Sequence, residues 1–505
     1  MAAKKLVLTY VDSLRTDMLL RAVAEGRAPT FGALIERGAL IEDCVSSFPS
    51  VTPVACSEMV TGHGADRHWI SGMNWYHRLE RRYVEYGSSL EATRAFGVFR
   101  ALYDLVYNMN LAHLSPEVET LFETLDDGGA RTACTPFLIY RGRHRHEVSL
   151  DGLLRRAVDA TRLKFRHHTW GPGELFYGDL YASREVPCKS TSIPGSRDGH
   201  SACCAAQLAR EDLFDFLLLS LPDNDNYSHR HGPQASVESI AKADHCFTKL
   251  TDACGGVDAF LADHALILLA DHAQTAVHRG LPLADLLGRE WRVLQPSEER
   301  PEEAQIAVSP TGRAAHVYLL PTAVKPASPE RVAATLAGVE GVDLVCWLED
   351  ADGAPLARPE PGLPDRERVA AVVERRGERL RFRPGGQLTD LRGERWDAEG
   401  ELTALAARVE GGALRSDEYP DPLARVWAAL TAPHAGDFIV SLSDGYEAVD
   451  WGGVTHVGGG SHGSLHAGDS LGPLLFVGCD AVDPGEREQW TLRDVAPAIR
   501  RHFEL

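Results

Sequence analysis

Short apolar runs that end in a carboxylate or an imidazole recur along the chain. Residues 4–12, 213–220 and 265–270 are apolar and rich in branched side chains. Such runs are typical of strands buried inside a parallel sheet. The segment SVESIAKADHCFTKLTDAC lies between the last two runs and has helical spacing, so these pieces predict a βαβ unit. We therefore expect an α/β fold with a central, mostly parallel sheet.

Three further stretches have the apolar spacing of helices. PTFGALIERGA predicts an amphipathic helix closed by Gly38. Residues 52–61 predict a helix that begins at Thr52, has proline at the next position and stops at Gly62. RAFGVFRALYDLVYNMN predicts a helix in a region rich in Arg, His, Tyr and Trp.

The residue composition and hydrophobic pattern of the sequence change twice, which predicts two insertions in the core. The second changed region holds the charged, proline-rich connectors PSEERPEEAQ and PLARPEPGLPDRER. It also holds strand-like pieces (AAHVYLL, VDLVCWL, RLRFR) and helical ones (PERVAATLAGV, RERVAAVVERRG, LARVWAALT). Core-like strands resume at DFIVSLS and PLLFVG. We expect a catalytic core over 1–75, 211–284 and 436–505, a cap-like insertion over 76–210, and a second insertion subdomain over 285–435.

The composition is that of an ordinary globular protein, with 44% hydrophobic and 25% charged residues over 505 positions. A formal net charge of −20 disfavours sequence-independent binding of nucleic-acid polymers, which requires a basic face. A small phosphorylated substrate stays compatible with this charge, because a bound dication can reverse the local field.

The ten cysteines lack CxxC pairs and include the adjacent Cys203 and Cys204. We interpret them as reduced thiols, as expected in the cytosol. The first residues, MAAKKLVLTYVDSLRTDML, do not match a secretory signal, and no run is long enough to span a membrane. The expected location is the cytoplasm.

Candidate metal ligands follow the apolar runs. Two carboxylates with an imidazole form an ordinary zinc shell, which can also hold manganese or iron. The carboxyl ends of parallel strands are where open α/β sheets keep their ligands. The candidates are Asp12, Asp225, His229, Asp271, His272 and His462, together with the hydroxyl of Thr52.

Each candidate also has a simpler interpretation. Asp225 and His229 could belong to a solvated polar loop, and His462 to a flexible glycine-rich loop. Asp12 could be a cap or an ion-pair partner at a strand end. The metal site is preferred because these independent alternatives would all have to coincide.

Thr52 is the candidate nucleophile. Its hydroxyl would lie at a helix N-terminus, where the helix dipole is positive, and a metal there would lower its pKa. The alternative is that Thr52 is only an N-cap. Ser50 and Ser57 compete on the same segment, although Ser57 would lie more than a turn into the helix.

As a set, these residues resemble the alkaline phosphatase superfamily, and within it the nucleotide pyrophosphatase/phosphodiesterase branch, also called type I phosphodiesterases. The matching motifs, in chain order, are YVDSLRTD with Asp12, FPSVT with Thr52 followed by Thr61–Gly62, DNYSHRHGP with Asp225 and His229, ADHA with Asp271 and His272, and the late His462–Gly463. Asp225 is chosen over Asp223 because it alone keeps the spacing to His229. Ser13 and Ala273 stand where the family usually has glycine, and Pro53–Val54–Ala55 replaces its commoner F-P-N.

The resemblance implies a three-layer αβα core and two divalent metal ions, zinc or alternatively manganese. One ion would be held by Asp225, His229 and His462, and the other by Asp12, Asp271 and His272. Thr52, between them, would form a phospho-threonine intermediate that water then hydrolyses. Asn74, in SGMNW, matches the family's asparagine that binds a phosphoryl oxygen.

The substrate class implied by this branch is a small phosphoester or nucleotide, cleaved by a phosphodiesterase or nucleotide pyrophosphatase. Three alternatives remain: a phosphonate hydrolase such as phosphonoacetate hydrolase, a phosphomonoesterase, and a phosphate-binding protein without turnover. Candidate pocket residues, each of which could equally be structural, are Arg67, Arg141, Lys189, His63, His68, His77, Trp69, Trp75 and Tyr76. The oligomeric state is left open.

Overall fold

The first strand, Lys5–Val11, is buried at the centre of a large sheet in the computed structural model. The structure describes residues 4–147, 168–177, 180–188, 197–298, 300–358 and 362–505. Lys5–Val11 pairs in parallel with Phe216–Leu221 on one side and with His264–Leu269 on the other. The three predicted buried strands are therefore neighbours, and their carboxyl ends meet at one edge of the sheet.

This core sheet has eight strands and is mostly parallel around its centre. Its strands, in spatial order, are Ala39–Val45, Leu471–Val477, His264–Leu269, Lys5–Val11, Phe216–Leu221, Thr132–Cys134, Glu174–Tyr177 and Tyr181–Ala182. The pairs that involve Leu471–Val477 and the last pair are antiparallel. The prediction of an α/β fold on a mostly parallel sheet is confirmed.

Helices cover both faces of the core sheet, as alternation of side chains along the first strand requires. Leu6, Leu8 and Tyr10 belong to one apolar cluster, and Val7 and Val11 to another. The helices of the first cluster are Thr52–Thr61, Leu121–Asp127 and Val495–His502. Those of the second are Thr16–Ala24, Pro29–Ile35, Asp198–Arg210, Val237–Ala253 and Val257–Asp263. The core thus has three layers, αβα.

A second, nine-stranded sheet is built almost entirely from antiparallel pairs. Its strands, in spatial order, are Ile306–Thr311, Ala314–Leu319, Phe438–Leu442, Val342–Glu349, Ala370–Arg375, Glu378–Asp390, Ala413–Ser416 and Ala407–Glu410, with Arg395–Gly400 paired to Glu378–Asp390. Helices Pro329–Ala337 and Pro422–Thr431 pack against it.

The remaining strands, helices and turns are short and lie outside the two large sheets. The short strands are Asn74–His77 with Arg82–Glu85, His144–Glu147 with His168–Gly171, and Thr275–Leu281 between Gly445–Ala448 and Gly460–Ser461. The remaining α-helices are Ala65–His68, Leu90–Phe96, Val98–Tyr103, Asp223–His231, Leu283–Leu287 and Ala467–Ser470, and Asp104–His113 is a π-helix. Single 3₁₀ turns occupy Pro233–Ala235, Pro301–Glu303, Leu402–Leu405, Pro484–Glu486 and Leu492–Asp494.

Two local predictions are wrong, and a third predicted helix is interrupted. RERVAAVVERRG contains the strand Ala370–Arg375 instead of a helix, because its valines are buried on opposite faces of the second sheet. DFIVSLS forms Phe438–Leu442 in the second sheet and does not return to the core sheet. RAFGVFRALYDLVYNMN is divided at Gly97, whose φ of 97° does not fit a helix.

The prediction of ten reduced cysteines is also wrong. Cys188 and Cys203 form a disulfide in this structure, although Cys204 is a buried free thiol. Disulfides are uncommon in reducing compartments, so the cytoplasmic location stays a prediction without support from the cysteines. Within the described part of the chain, no helix is both long and apolar enough to cross a membrane.

The helix boundaries nearest the predicted nucleophile are confirmed. The helix Thr52–Thr61 begins at Thr52 and ends before Gly62, whose φ of 77° lies in the left-handed region. The helix from PTFGALIERGA ends earlier than predicted, at Ile35. The segment boundaries at 75, 210, 284 and 435 stay predictions.

Candidate functional site

The candidate residues converge at the carboxyl edge of the three central strands. Asp12 directly follows Lys5–Val11, and Asp271 and His272 follow His264–Leu269. A backbone hydrogen bond of 3.1 Å from Asp12 N to Leu221 O ties the first strand end to its neighbour. These side chains therefore meet because parallel strands bring their ends to one edge.

Asp225 and His229 lie on a helix and not in the polar loop that the sequence left open. The helix Asp223–His231 places the two residues one turn apart, so their side chains lie on one face. The Oδ1 atom of Asp225 is 3.3 Å from Nε2 of His229. Gly232, with a φ of 81°, then ends the helix.

The six candidate ligands form two groups. In each group, one donor atom per residue lies within 4.8 Å of the others. The first group is Asp225, His229 and His462, and the second is Asp12, Asp271 and His272. The groups adjoin, since the rings of His272 and His462 stack with centroids 3.7 Å apart.

Each histidine is oriented through its second ring nitrogen. Nδ1 of His229 lies 2.7 Å from Gly460 O, and Nδ1 of His462 lies 2.8 Å from Ser50 O. Nδ1 of His272 lies 3.2 Å from Ala273 O. When Nδ1 donates its proton to a carbonyl, Nε2 keeps a lone pair that can bind a metal. This is the usual arrangement of a metal-binding imidazole.

The electrostatics of the cluster fit a bound cation. Burial, together with the neighbouring carboxylates, raises the pKa of Asp12 well above its ordinary value, and burial raises the pKa of Asp271 to about 7. Burial lowers the pKa of His272 to about 4 and that of His462 to about 3. Oδ1 of Asp12 is buried without a hydrogen-bond partner among the described residues. The carboxylate of Asp225 instead raises the pKa of His229 against the effect of burial. Imidazoles beside crowded carboxylates are a donor set for hard or borderline dications.

Thr52 lies beside both groups at a helix N-terminus. Its Oγ1 is 3.3 Å from Nε2 of His272. The N-cap is Val51, so the hydroxyl of Thr52 is not the cap that the alternative interpretation required. Ser50 and Ser57 donate their hydroxyls to Ser464 O and Pro53 O, at 2.9 and 2.7 Å. Thr52 is therefore the best placed of the three candidates.

The structure places Asn74 against the second sheet. It is fully buried, and its Nδ2 donates to Pro310 O at 2.6 Å. It faces the second sheet because Asn74–His77 forms a hairpin beside Ile306–Thr311. Its Oδ1 is buried without a hydrogen-bond partner among the described residues, and its role in holding a phosphoryl oxygen stays a prediction.

The other candidate pocket residues lie elsewhere. Arg141 pairs with Glu123 at 3.0 Å, Arg67 is exposed, and Lys189 lies outside the described residues. Trp75 is fully buried and stacks with His77 and His434, at centroid distances of 5.4 and 4.4 Å. The remaining members of this set, buried or half-buried as part of the fold, are His63, His68, Trp69 and Tyr76.

Sequence reasoning missed two residues that position Asp225. Ser13 Oγ donates to Asp225 Oδ1 at 2.7 Å, and Gln274 Nε2 donates to the same oxygen at 2.6 Å. Ser13 has a φ of 57°, which explains why glycine is usual at this position. Both residues adjoin predicted ligands in the chain, and that adjacency was the only signal available.

A cavity of about 600 Å³ opens beside the carboxyl edge of the central strands, where the candidate ligands meet. It extends between the core and the helices that follow residue 86. Asp12, Thr52 and Asp225 line its polar end. Its other walls come from side chains far apart in the sequence, including Met73, Leu105 and Phe137. The cavity is large enough for a small organic ligand, for which about 300–1,000 Å³ is typical.

The carboxyl groups of Glu85 and Asp450 hold the loop over residues 87–89, which forms one wall of this cavity. Glu85 Oε1 accepts hydrogen bonds from the backbone N–H groups of Gly87 and Ser88, and Asp450 Oδ2 accepts one from Ser88 Oγ at 2.8 Å. Burial, reinforced by the negative charge of Asp450, raises the pKa of Glu85 to about 8. Gly87, Ser88 and Ser89 line the cavity, so this pair fixes its shape.

Comparison with known proteins identifies the family. The family model described as type I phosphodiesterase / nucleotide pyrophosphatase matches residues 6–465. The chain belongs to this family. The resemblance drawn from the motifs is thus confirmed, and with it the wider alkaline phosphatase superfamily. No curated protein sequence is significantly similar to this family member.

Solved structures with the same fold share little sequence with this phosphodiesterase-family chain. Phosphonoacetate hydrolase from Sinorhizobium meliloti 1021, in complex with phosphonoacetate, matches at a TM-score of 0.54 and 16% identity, over 99% of this chain and 96% of that one. Human ectonucleotide pyrophosphatase / phosphodiesterase 5 matches at 0.56 and 14%, over 99% and 95%. An inactive murine form in complex with AMP matches at 0.52 and 13%, over 99% and 95%.

Replacing Gln274 with Ala should weaken metal binding while the protein stays folded. The change removes the 2.6 Å hydrogen bond that orients Asp225, and loss of such a partner typically costs about 10–100-fold in metal affinity. Competition titration with a chromophoric chelator measures this. Gln207→Ala, on the exposed end of the helix Asp198–Arg210, is the control. Equal affinities in both variants would exclude the positioning role of Gln274.

Replacing Glu85 with Gln should flatten the pH dependence of stability. The pKa of folded Glu85 is raised to about 8 from an ordinary value of 4.5, so its contribution to stability is lost as pH rises through that interval. The substituted amide cannot ionise but keeps an oxygen for the two backbone donors. Melting temperatures from pH 5 to 9 measure the slope. The control is Glu340→Gln, at an exposed residue paired with Arg279, and it should leave the slope unchanged. A wild-type slope in the Glu85 variant would contradict the raised pKa of Glu85.

Proposed function

We propose that this protein is a two-metal phosphoester hydrolase, most specifically a phosphodiesterase, with Thr52 as its nucleophile. The observation that carries the proposal is the hydroxyl of Thr52 at a helix N-terminus, beside two adjoining groups of carboxylates and imidazoles. Membership of the phosphodiesterase family supports the reaction type.

The two groups fit one divalent cation each. Asp225, His229 and His462 would hold one, and Asp12, Asp271 and His272 the other. Zinc suits these carboxylate and imidazole donors, and manganese is the alternative. When bound, the cations neutralise phosphoryl charge and lower the pKa of the threonine hydroxyl.

Thr52 Oγ1 would attack phosphorus, and its proton would pass through solvent to the departing ester oxygen. The phosphorus–oxygen bond to one ester group breaks as the threonine–phosphorus bond forms, so an alcohol leaves and phospho-threonine remains. Water then hydrolyses phospho-threonine and restores the hydroxyl. The dipole of the helix Thr52–Thr61 is positive at this end and favours the phosphoryl charge.

The charges around the cavity favour a diester over a monoester or a phosphonate bearing a carboxylate. Among the described residues that line the cavity, the charged ones are the candidate ligands Asp12 and Asp225. A diester carries one negative charge, which the two cations can offset. A monoester dianion or a carboxylate would require a further cationic side chain for comparable stabilisation. The complete set of candidate ligands also argues against a binding protein without turnover.

Replacing Thr52 with Ala should abolish turnover and leave the metal content unchanged. The hydroxyl supplies the bond to phosphorus, whereas the six carboxylate and imidazole ligands are untouched. Steady-state rates and elemental analysis on the same preparation measure both quantities. Asp271→Asn is the matched variant, because it should lose metal as well as activity. Full activity in the Thr52 variant would refute its role as nucleophile.

Turnover of a phosphodiester should exceed that of a phosphomonoester or of phosphonoacetate. We expect at least a tenfold difference in kcat/KM, equal to about 1.4 kcal/mol in the barrier. Bis(p-nitrophenyl) phosphate, p-nitrophenyl phosphate and phosphonoacetate, compared with zinc-loaded and manganese-loaded enzyme, provide the test. A preference for either of the last two substrates would replace the diesterase proposal with the corresponding alternative.

A further inference from the structure

The cavity beside Thr52 is apolar over most of its wall. At its polar end lie Asp12, Thr52 and Asp225. The apolar and aromatic side chains that line the rest are Tyr10, Cys56, Met73, Tyr86, Leu90, Val98, Ala101, Leu102, Leu105, Pro136, Phe137, Leu138 and Tyr177. The polar remainder is uncharged and includes Ser88, Ser89, Thr93 and Asn226.

Three consecutive helical segments supply one wall. Leu90 comes from Leu90–Phe96, Ala101 and Leu102 from Val98–Tyr103, and Leu105 from the π-helix that follows. Across the cavity, Tyr10 and Phe137 contact each other edge to face, with ring centroids 5.7 Å apart. The wall is therefore formed by packed side chains that project from defined elements.

The apolar wall continues to the protein surface. Leu90 and Val98 line the cavity and are nevertheless 58% and 40% exposed, so they lie at its mouth. Phe99 is equally exposed, at 40%, but is not part of the cavity lining. Apolar side chains that are exposed next to a cavity are a common feature of ligand-binding grooves.

An anionic substituent would find no partner in this space. Within the described residues, the cavity lining contains no arginine, lysine or histidine. A second phosphate or a carboxylate placed there would lose its hydration without an ion pair in return. An alkyl or aryl group would instead gain from burial, by about 25 cal/mol for each Å² removed from water.

We propose that this cavity binds an uncharged, apolar ester substituent of the substrate, so that the enzyme prefers diesters carrying an extended alkyl or aryl group. This inference rests on the proposed phosphodiesterase function and specifies its substrate class. The reaction is unchanged: water is consumed, one phosphorus–oxygen bond breaks, and an alcohol and a phosphomonoester are released.

A homologous series tests the proposal. p-Nitrophenyl alkyl phosphates with methyl, butyl and octyl groups share one leaving group and one charge. With metal-loaded enzyme, kcat/KM should rise by up to about fourfold per methylene until the cavity is filled. Calorimetric binding of the octyl diester to the metal-loaded Thr52→Ala protein gives a readout without turnover, and it should exceed methyl diester binding in the same proportion.

Two variants on one helix distinguish an effect on the cavity lining from an effect on the exposed surface beside it. Val98→Asp places a carboxylate at the cavity mouth, and Phe99→Asp places the same charge on the same helix outside the lining. Val98→Asp should reduce kcat/KM for the octyl diester at least about tenfold, with less than about threefold effect on the methyl diester. Phe99→Asp should leave both within about twofold. Leu90→Asp, with the exposed Leu79→Asp as its control, repeats the comparison on a second segment.

The outcomes distinguish this inference from the function on which it rests. Turnover of the methyl diester with no dependence on chain length would overturn the apolar-substituent proposal and leave the phosphodiesterase intact. Equal losses in the Val98 and Phe99 variants would also overturn it, because they would locate the effect on the exposed surface. Absence of turnover for every diester would instead count against the proposed function.

Discussion

Three aspartate carboxylates held close together, two of them buried and one partly buried, are the constraint around which the candidate site is organised. Asp12 and Asp271 follow neighbouring strands, and Asp225 lies on the helix after a third. Bringing like charges into one buried place costs free energy unless cations or protons offset them. Burial is the main cause of the raised pKa values of Asp12 and Asp271, and the neighbouring carboxylates add to both shifts. Divalent ions are the partners that would convert this repulsion into binding.

The second sheet contributes directly to the position of the last candidate ligand. Arg313, in the turn between Ile306–Thr311 and Ala314–Leu319, donates its backbone N–H to His462 O at 2.7 Å. Its buried guanidinium pairs with Asp469 at 2.7 Å. At Gly312 a side chain is excluded, since an added Cβ would lie 2.1 Å from His462 O. The long region before His462 therefore does more than separate two parts of the core.

The sequence was sufficient to predict which candidate ligands come together, and insufficient to predict the residues that hold them in place. Ligand identity follows from side-chain chemistry at strand ends, so Asp12, Asp271 and His272 could be placed before the fold was known. The position of Asn74 depends on a tertiary contact with Pro310, which no spacing encodes. The same holds for Phe438–Leu442, an apolar run that either sheet could have accepted. Local pattern thus predicts which residues can bind a metal, and long-range packing decides which of their neighbours face it.

The two ends of the cavity obey different physical rules. The polar end needs donors of fixed type at fixed distances, because metal coordination and in-line attack tolerate little displacement. The apolar wall needs only volume and the absence of charge, and many combinations of residues satisfy that requirement. Structures at 16% and 13% identity to this chain share its fold and hold different molecules, phosphonoacetate and AMP. In the proposed phosphodiesterase, the strand ends would supply the chemistry, and the side chains around Leu90 and Val98 would select the ester substituent.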